Sequence, residues 1–311
     1  MKLLRTPVIS VMWIALVLPA CAPKPEPVLE QATVVARNSS VRQRNSSTSR
    51  TLVTLNAGDK VDILQRQDNW YRIRHGENTQ GWMEESTLVT VETLARIKQI
   101  ADAATGQSTQ NTAVTREDVN LRIEPGRSTA VIRKLDAGTK VEVLERTTNP
   151  RPGTEGGIDA WLKVRLSPGE VGWVIESLLD FSVPEELAPY TESYTYTAIR
   201  PLKTVEDPVA GPVRWYVVGE RGPGTDPAID FDGIRVFTWN LKMHHYETAY
   251  RAREIRGVYP LESGEANGNP TFRYHQLTGE PAARTAVDFV MNGVVTRPLI
   301  RPEKAVVRSP R

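Results

Sequence analysis

Four groups of residues in this 311-residue chain have the types and spacing for chemistry. Cys21 is the single cysteine, and a cysteine thiolate is a strong nucleophile. His244, His245, Glu247 and His275 are donors of the kind that hold zinc. Asp230, Asp232 and Gly233, in the run DFDG, resemble the start of a calcium loop. Arg251 and Arg253, beside Tyr250, Glu254 and Arg256, share one face of a strand and could engage an anion.

None of the four carries a reaction as it stands. Nothing near Cys21 could act as its base, and a Pro-rich segment, APKPEPVLEQ, follows it. Adjacent His244 and His245 point to opposite faces of a strand, so only one of them could join His275. The zinc-protease pattern HExxH is absent. DFDG lacks the rest of a calcium loop and reads as the turn before a strand at Ile234. No nucleophile elbow supports Ser/His/Asp catalysis. The sequence therefore assigns no catalytic residue, no metal ligand and no cofactor, and the arginines read as a solvated face.

The surroundings of Cys21 give it a different role. Lys2 and Arg5 are followed by an uncharged apolar run from Pro7 to Ala20, the order of a secretory signal. That run is too short for a membrane-spanning helix, which needs roughly 20 residues. Leu18-Pro19-Ala20-Cys21 resembles the lipobox of bacterial lipoproteins. The resemblance implies that Cys21 is the lipidation site and first mature residue, with residues 1–20 removed and 21–31 acting as a tether. Ala22, in place of aspartate, implies outer-membrane placement on the periplasmic side in a Gram-negative envelope. The chain has 39 basic and 37 acidic residues, and Lys2 and Arg5 lie in the signal, so the mature chain is balanced. No basic field remains for nucleic acid. With one cysteine there is no internal disulfide, so each domain stands on its apolar core.

The mature chain repeats itself. AGDKVDIL (57–64) matches AGTKVEVL (137–144), NWYRIR (69–74) matches AWLKVR (160–165), and GWMEESTL (81–88) matches GWVIESLL (172–179). Upstream, VRQR (41–44) is set against VNLR (119–122). Alternating apolar residues bounded by Ala-Gly turns predict about five short strands per copy, in a closed or nearly closed barrel. The Gly-x-x-Val-x-Val, Trp-x-x-Val and Gly-Trp strands resemble bacterial SH3 (SH3b, SH3 type 3) domains, at 32–90 and 112–181. The first copy departs at its start and has NSSTS where a Gly-Pro turn is usual. The second carries a long insertion, Arg146 to Asp159, read as a tolerated loop. The resemblance implies a non-catalytic envelope module that binds peptidoglycan peptides or a protein partner. Trp70, Tyr71, Trp82, Trp161 and Trp173 are the candidate ligand-binding residues. Aromatics there can fill a small core or offer a flat contact, and Trp82 and Trp173 are read as core first.

Between the copies, Val91, Leu94, Ile97 and Ile100 recur every three residues and predict an amphipathic helix packed on one barrel, within a 91–111 linker. The C-terminal part, 190–300, has strand-like runs at 194–199, 213–218, 234–239, 246–255, 271–275 and 286–291. They predict an antiparallel β domain, sandwich or barrel. The Arg- and Pro-rich tail, 301–311, is expected to be disordered. The fold class is thus mainly β. The function expected is a lipid-anchored envelope protein that binds peptidoglycan or an envelope partner through tandem SH3b domains. The alternative is a wall-targeted hydrolase with its active site in the C-terminal domain.

Overall fold

A computed structural model of the chain describes residues 26–166 and 169–299. The signal segment, Cys21 and the basic tail lie outside the described residues. The fold is mainly β, with three antiparallel seven-stranded sheets and one short helix. Among the described residues no helix is long and apolar enough to cross a membrane.

The first sheet contains β1 (Glu30–Val34), β2 (Ser39–Arg42), β3 (Thr51–Leu55), β4 (Lys60–Gln67), β5 (Trp70–His75), β6 (Thr79–Glu84) and β7 (Leu88–Thr90). The second contains β8 (Asn111–Thr115), β9 (Val119–Arg122), β10 (Val131–Leu135), β11 (Lys140–Pro150), β12 (Ile158–Leu166), β13 (Glu170–Ile175) and β14 (Leu179–Phe181). The strand order is β3-β2-β6-β5-β4-β1-β7 in the first and β10-β9-β13-β12-β11-β8-β14 in the second. The second order is the first shifted by one whole repeat. Each sheet curls into a half-barrel around apolar side chains, Val41, Ile63, Ile73 and Met83 in the first and Leu121, Val143, Leu162 and Val174 in the second. The count exceeds the expected five because short edge strands such as β7 show too little alternation to be read.

The structure corrects the alignment at the start of the repeat. Arg42, not Arg44, is the counterpart of Arg122: Arg42 pairs with Trp82 and Arg122 with Trp173. Each guanidinium donates to the backbone seven residues on, Arg42 to Ser49 O and Arg122 to Thr129 O. Val41 therefore matches Leu121, and both are fully buried. The first copy begins Ser39-Ser40-Val41-Arg42, which keeps the buried apolar residue and the arginine of the pattern and departs from it only at the two serines. The Gly of each Gly-Trp pair is required by this crossing. A Cβ on Gly81 would lie 2.6 Å from Val41 Cγ1 and 2.7 Å from Arg42 O, and one on Gly172 would lie 2.7 Å from Leu121 Cγ and 2.8 Å from Arg122 O.

Helix α1 (Val91–Ala103) joins the half-barrels. Thr90 caps its N-terminus by accepting from Thr93 N, which satisfies one free donor of the first turn. Ile97 and Ile100 pack against the second half-barrel, and α1 lies on β13. Val91 and Leu94 stay exposed.

The third sheet is an up-and-down meander of β15 (Thr195–Asp207), β16 (Gly211–Arg221), β17 (Phe231–Asn240), β18 (His245–Ala266), β19 (Asn269–Thr278), β20 (Ala283–Asn292) and β21 (Val295–Pro298). All six expected strand runs fall on its strands, with Tyr194 alone lying just before β15. Strand alternation serves two buried faces. Val217, Ile234 and Val236 enter one apolar cluster, and Tyr216, Val218 and Phe237 enter another with Leu187 and Tyr246. β15 crosses β18 and β19, so the sheet curls on itself. Tyr259 Oη closes the curl by donating to Thr197 O over 2.6 Å.

The second half-barrel and this sheet share one apolar cluster. Asn111 Nδ2 donates to Tyr196 O (2.7 Å), Leu261 N donates to Gln110 Oε1 (2.7 Å), and Ile199 N donates to Gln110 O (2.8 Å). The Arg146 to Asp159 insertion is not a loose loop. It extends the β11–β12 hairpin, with Thr147 paired to Trp161 and Pro150 to Ile158. Its base places Arg146 against the third sheet, where Nη1 donates to Pro227 O (2.7 Å) and Ile229 O (3.2 Å).

Candidate functional site

The two half-barrels meet where the 3-10 turn Glu85–Thr87 lies against β10. A cleft of about 450 Å³ opens there, lined by Asn69, Trp70, Glu84 and Glu85 of the first and Asn120, Arg122, Arg127 and Lys134 of the second. A second hollow of about 370 Å³ continues over the second half-barrel to Asp118, Trp161, Ile175 and Leu178. The hollows share Asn120, Arg122, Arg127 and Lys134, so they form one groove.

Each side chain is positioned by its strand. Asn120 and Arg122 lie on β9, Lys134 on β10, and Trp70 and Trp161 at corresponding places on β5 and β12. Arg127 is held by Asp159 through Nε (2.6 Å) and Nη2 (3.0 Å). Lys134 pairs with Asp118 at 2.9 Å. Arg122 has no carboxylate within ion-pair distance among the described residues. Burial pulls its pKa down, while the charge of Glu85 across the cleft acts the other way. A partly desolvated guanidinium without an anion favours an incoming carboxylate. The indole N–H of Trp161 is buried with no acceptor in the described structure, and the Asn120 amide makes no internal hydrogen bond there. Glu84 and Glu85 add negative charge at the other lip. The groove therefore offers a guanidinium, an amide, carboxylates and the Trp70 ring to a chain with charges of both signs.

The five expected aromatics are divided by the structure. Trp70 and Trp161 line the groove. Trp161 is nearly buried, at 2% exposure. Tyr71 packs on the first core, donates to Glu85 Oε1 (3.0 Å), and is pushed up to about 12 by burial, with Glu85 adding to the effect. Trp82 is half-buried, and Trp173 is buried beneath Lys163, whose Nζ sits 5.8 Å from the ring centroid. Neither lines a described hollow. Asn120, Arg122, Arg127 and Lys134 were missed, although Asn-x-Arg at the start of the second copy was a visible signal.

Three readings of the C-terminal residues change. His244 lies in the turn before β18 at φ 53° and pairs with Asp207 at 2.8 Å, so the strand argument does not apply to it. Arg251 is not a solvated residue: its Nε donates to the fully buried Glu220 over 3.0 Å, and its guanidinium lies over Tyr194. Asp230 ends the bend before β17, as expected, but Asp232 and Gly233 lie within that strand, and Asp230 does more than turn the chain. It is buried at the junction with the second half-barrel, accepts from Tyr259 N over 2.7 Å, and lies 3.6 Å from Arg146. Arg146 and Arg221 both bind Glu176 there. Burial raises the Asp230 carboxyl to about 6, against the pull of Tyr259 N–H, Arg146 and Arg221. Among the described residues no cluster of three or more His, Cys, Asp or Glu could hold a metal.

Paired half-barrels of one strand order, each closed by a Gly-Trp strand, define a protein built on tandem SH3-like modules. Residues 37–89 and 117–180 match the family model of the bacterial SH3 domain, and these two segments are bacterial SH3 domains. No curated protein matches the chain. Among solved structures, NlpC1 from Trichomonas vaginalis is 11% identical over 88% of this chain and 92% of its own, with a TM-score of 0.20. An NlpC/P60 family protein from Bacillus cereus is 9% identical over 82% of this chain and 93% of its own, with a TM-score of 0.18. Likeness at this level carries no argument about arrangement or activity.

Proposed function

We propose that this protein is a lipid-anchored envelope protein that binds peptidoglycan peptides, or an envelope partner of similar chemistry, in the groove between its SH3 domains. The observation that carries the reading is the unpaired, partly desolvated Arg122 beside Asn120 and Trp70. A peptide bearing carboxylates and an amine finds a partner for each group there: Arg122 for a carboxylate, Glu84 and Glu85 for an ammonium, Asn120 for a backbone amide. The anchor is the lipid on Cys21, since two or more acyl chains give stable attachment.

Co-sedimentation of the full chain, held in mild detergent, with purified sacculi tests the binding. Folded protein that stays in the supernatant at low and moderate salt contradicts it. A Cys21→Ser variant tests the anchor and should leave the membrane fraction.

One observation favours a second reading, a wall-targeted hydrolase. Asp230, raised to about 6 by burial, lies in the range that suits a general acid and lines a hollow at the junction. Release of soluble fragments from sacculi, abolished in Asp230→Asn, is the outcome that reading requires.

A further inference from the structure

The hollow that Asp230 lines, of about 540 Å³ and separate from the SH3 groove, lies where the 106–110 linker, the β11 hairpin and the third sheet meet. Its size falls within the roughly 300–1,000 Å³ of small-molecule sites. Its apolar wall is Leu144, Val258 and Pro260.

The polar groups around it divide into satisfied and unsatisfied. Arg146 is used up by Pro227 O, Ile229 O and Glu176. Asp230 accepts from Tyr259 N, and Glu145 is shared with Lys163 at 3.2 Å. Three groups are left over among the described residues. Glu262, on β18, has no hydrogen bond and no ion pair within 4 Å, although the charges of Arg200 and of its cross-strand neighbour Arg273 reach it. The side-chain oxygen of Gln107 is buried with no donor. Arg284, exposed on β20, donates from Nη2 to Tyr259 O and meets no carboxylate. A buried acceptor left unmet is costly, and its presence in one hollow with a carboxylate that accepts no hydrogen bond and a guanidinium that meets no anion describes a ligand with a donor cation and an anion.

We propose that this hollow binds a small zwitterion, an α-amino acid or short peptide, with its ammonium at Glu262 and Gln107 Oε1 and its carboxylate at Arg284. A simple anion would have to lie beside Glu145 and Glu262. A simple amine would have to lie beside Arg284 and Arg146. A neutral sugar would desolvate Glu262 and Arg284 without supplying a charge to either. The site is distinct from the groove between the SH3 domains and goes beyond the function proposed for it. It requires binding alone and no turnover.

Titration calorimetry on the full chain in mild detergent tests it, with the free amino acids glycine and alanine as probes, which lack the peptide group that the groove reads, and acetate, ethylamine and glucose as controls. Saturable one-site binding of a zwitterion is expected, with no response to the controls. Glu262→Gln and Arg284→Gln should each weaken it at least about tenfold, a loss of about 1.4 kcal/mol. Both side chains are at least partly exposed, so melting temperature should hold. Trp70→Ala, in the groove, should leave zwitterion binding unchanged. No binding of either probe at about 10 mM, where even a millimolar site is filled, overturns the proposal. So does an equal response to acetate, ethylamine or glucose, or binding lost in Trp70→Ala and retained in Glu262→Gln. Failure here leaves the sacculus result untouched, and failure there leaves this one untouched.

Discussion

Asp230→Asn should make the protein more stable at neutral and alkaline pH, although the residue sits among arginines. The carboxyl rises from its ordinary 3.8 to about 6 because it is buried, and the Tyr259 N–H, Arg146 and Arg221 recover only part of that cost. A pKa raised on folding means that the folded protein holds a proton the unfolded chain has released. Stability therefore falls as pH rises from about 4 to about 6, and the loss is complete above the folded pKa. Each pKa unit is worth about 1.4 kcal/mol, so the penalty at pH 8 is about 3 kcal/mol. Asparagine resembles the protonated acid: it still accepts from Tyr259 N and carries no charge to desolvate. Arg146 and Arg221 keep Glu176 and the carbonyls of 227, 229 and 230. The variant should gain up to about 3 kcal/mol at pH 8 and under about 1 kcal/mol at pH 4. For a cooperative unit of this size that is a rise of roughly 6–12 °C in melting temperature at pH 8. Urea melts of both proteins at pH 4, 6 and 8 read it directly. If the variant loses about 3 kcal/mol at pH 8, the ion pairs outweigh burial and the reasoning is wrong. A difference that does not change with pH refutes it equally.

Other perturbations follow from single contacts. Gly172→Ala places a Cβ under 3 Å from Leu121 and from Arg122 O, and should cost about 1–3 kcal/mol or more in a thermal melt. Gly257→Ala drives a Cβ to 2.0 Å from the Phe231 ring and should destabilise the third sheet at least as much, read as faster amide exchange there. Gln110→Ala strands the buried Leu261 N–H. It should cost about 1–3 kcal/mol and expose the 104–110 linker to limited proteolysis. Thr90→Ala removes the α1 cap and should lower stability by about 1 kcal/mol.

Local pattern was legible, and long-range chemistry was not. The six strand runs of the third sheet could be read because short apolar, β-branched and aromatic runs are separated by turn residues such as those of GERGPGTDP and EANGNP, although both faces of β17 are buried and its burial does not alternate. The SH3 modules could be read because Gly-Trp and Ala-Gly pairs punctuate each copy. The start of the first copy was misplaced by two residues because Ser39 and Ser40 carry no apolar signal, whereas the next arginine, Arg44, mimics Arg42. The Arg146 insertion looked like a loop because TTNPRPGTEGG has turn residues, yet its two ends, 146–150 and 158–159, are paired strand and only 151–157 turn. Trp70 was found by type, but the groove also needs Arg122 and Lys134, which come together only when β9 and β10 face the turn at Glu85. Asp230 looked like no more than a turn residue because its partners, Arg146 and Tyr259, are far away in the chain.

The claim that the SH3 pair binds peptidoglycan peptides is tested most directly by titrating purified, solubilised stem peptides into the full chain and its variants. Wild-type protein should bind saturably, with a change in tryptophan emission. Arg122→Ala and Trp70→Ala should each weaken binding about tenfold or more, and Trp82→Ala, outside the groove, should not. No saturable binding, or equal affinity in wild type and Arg122→Ala, contradicts the account.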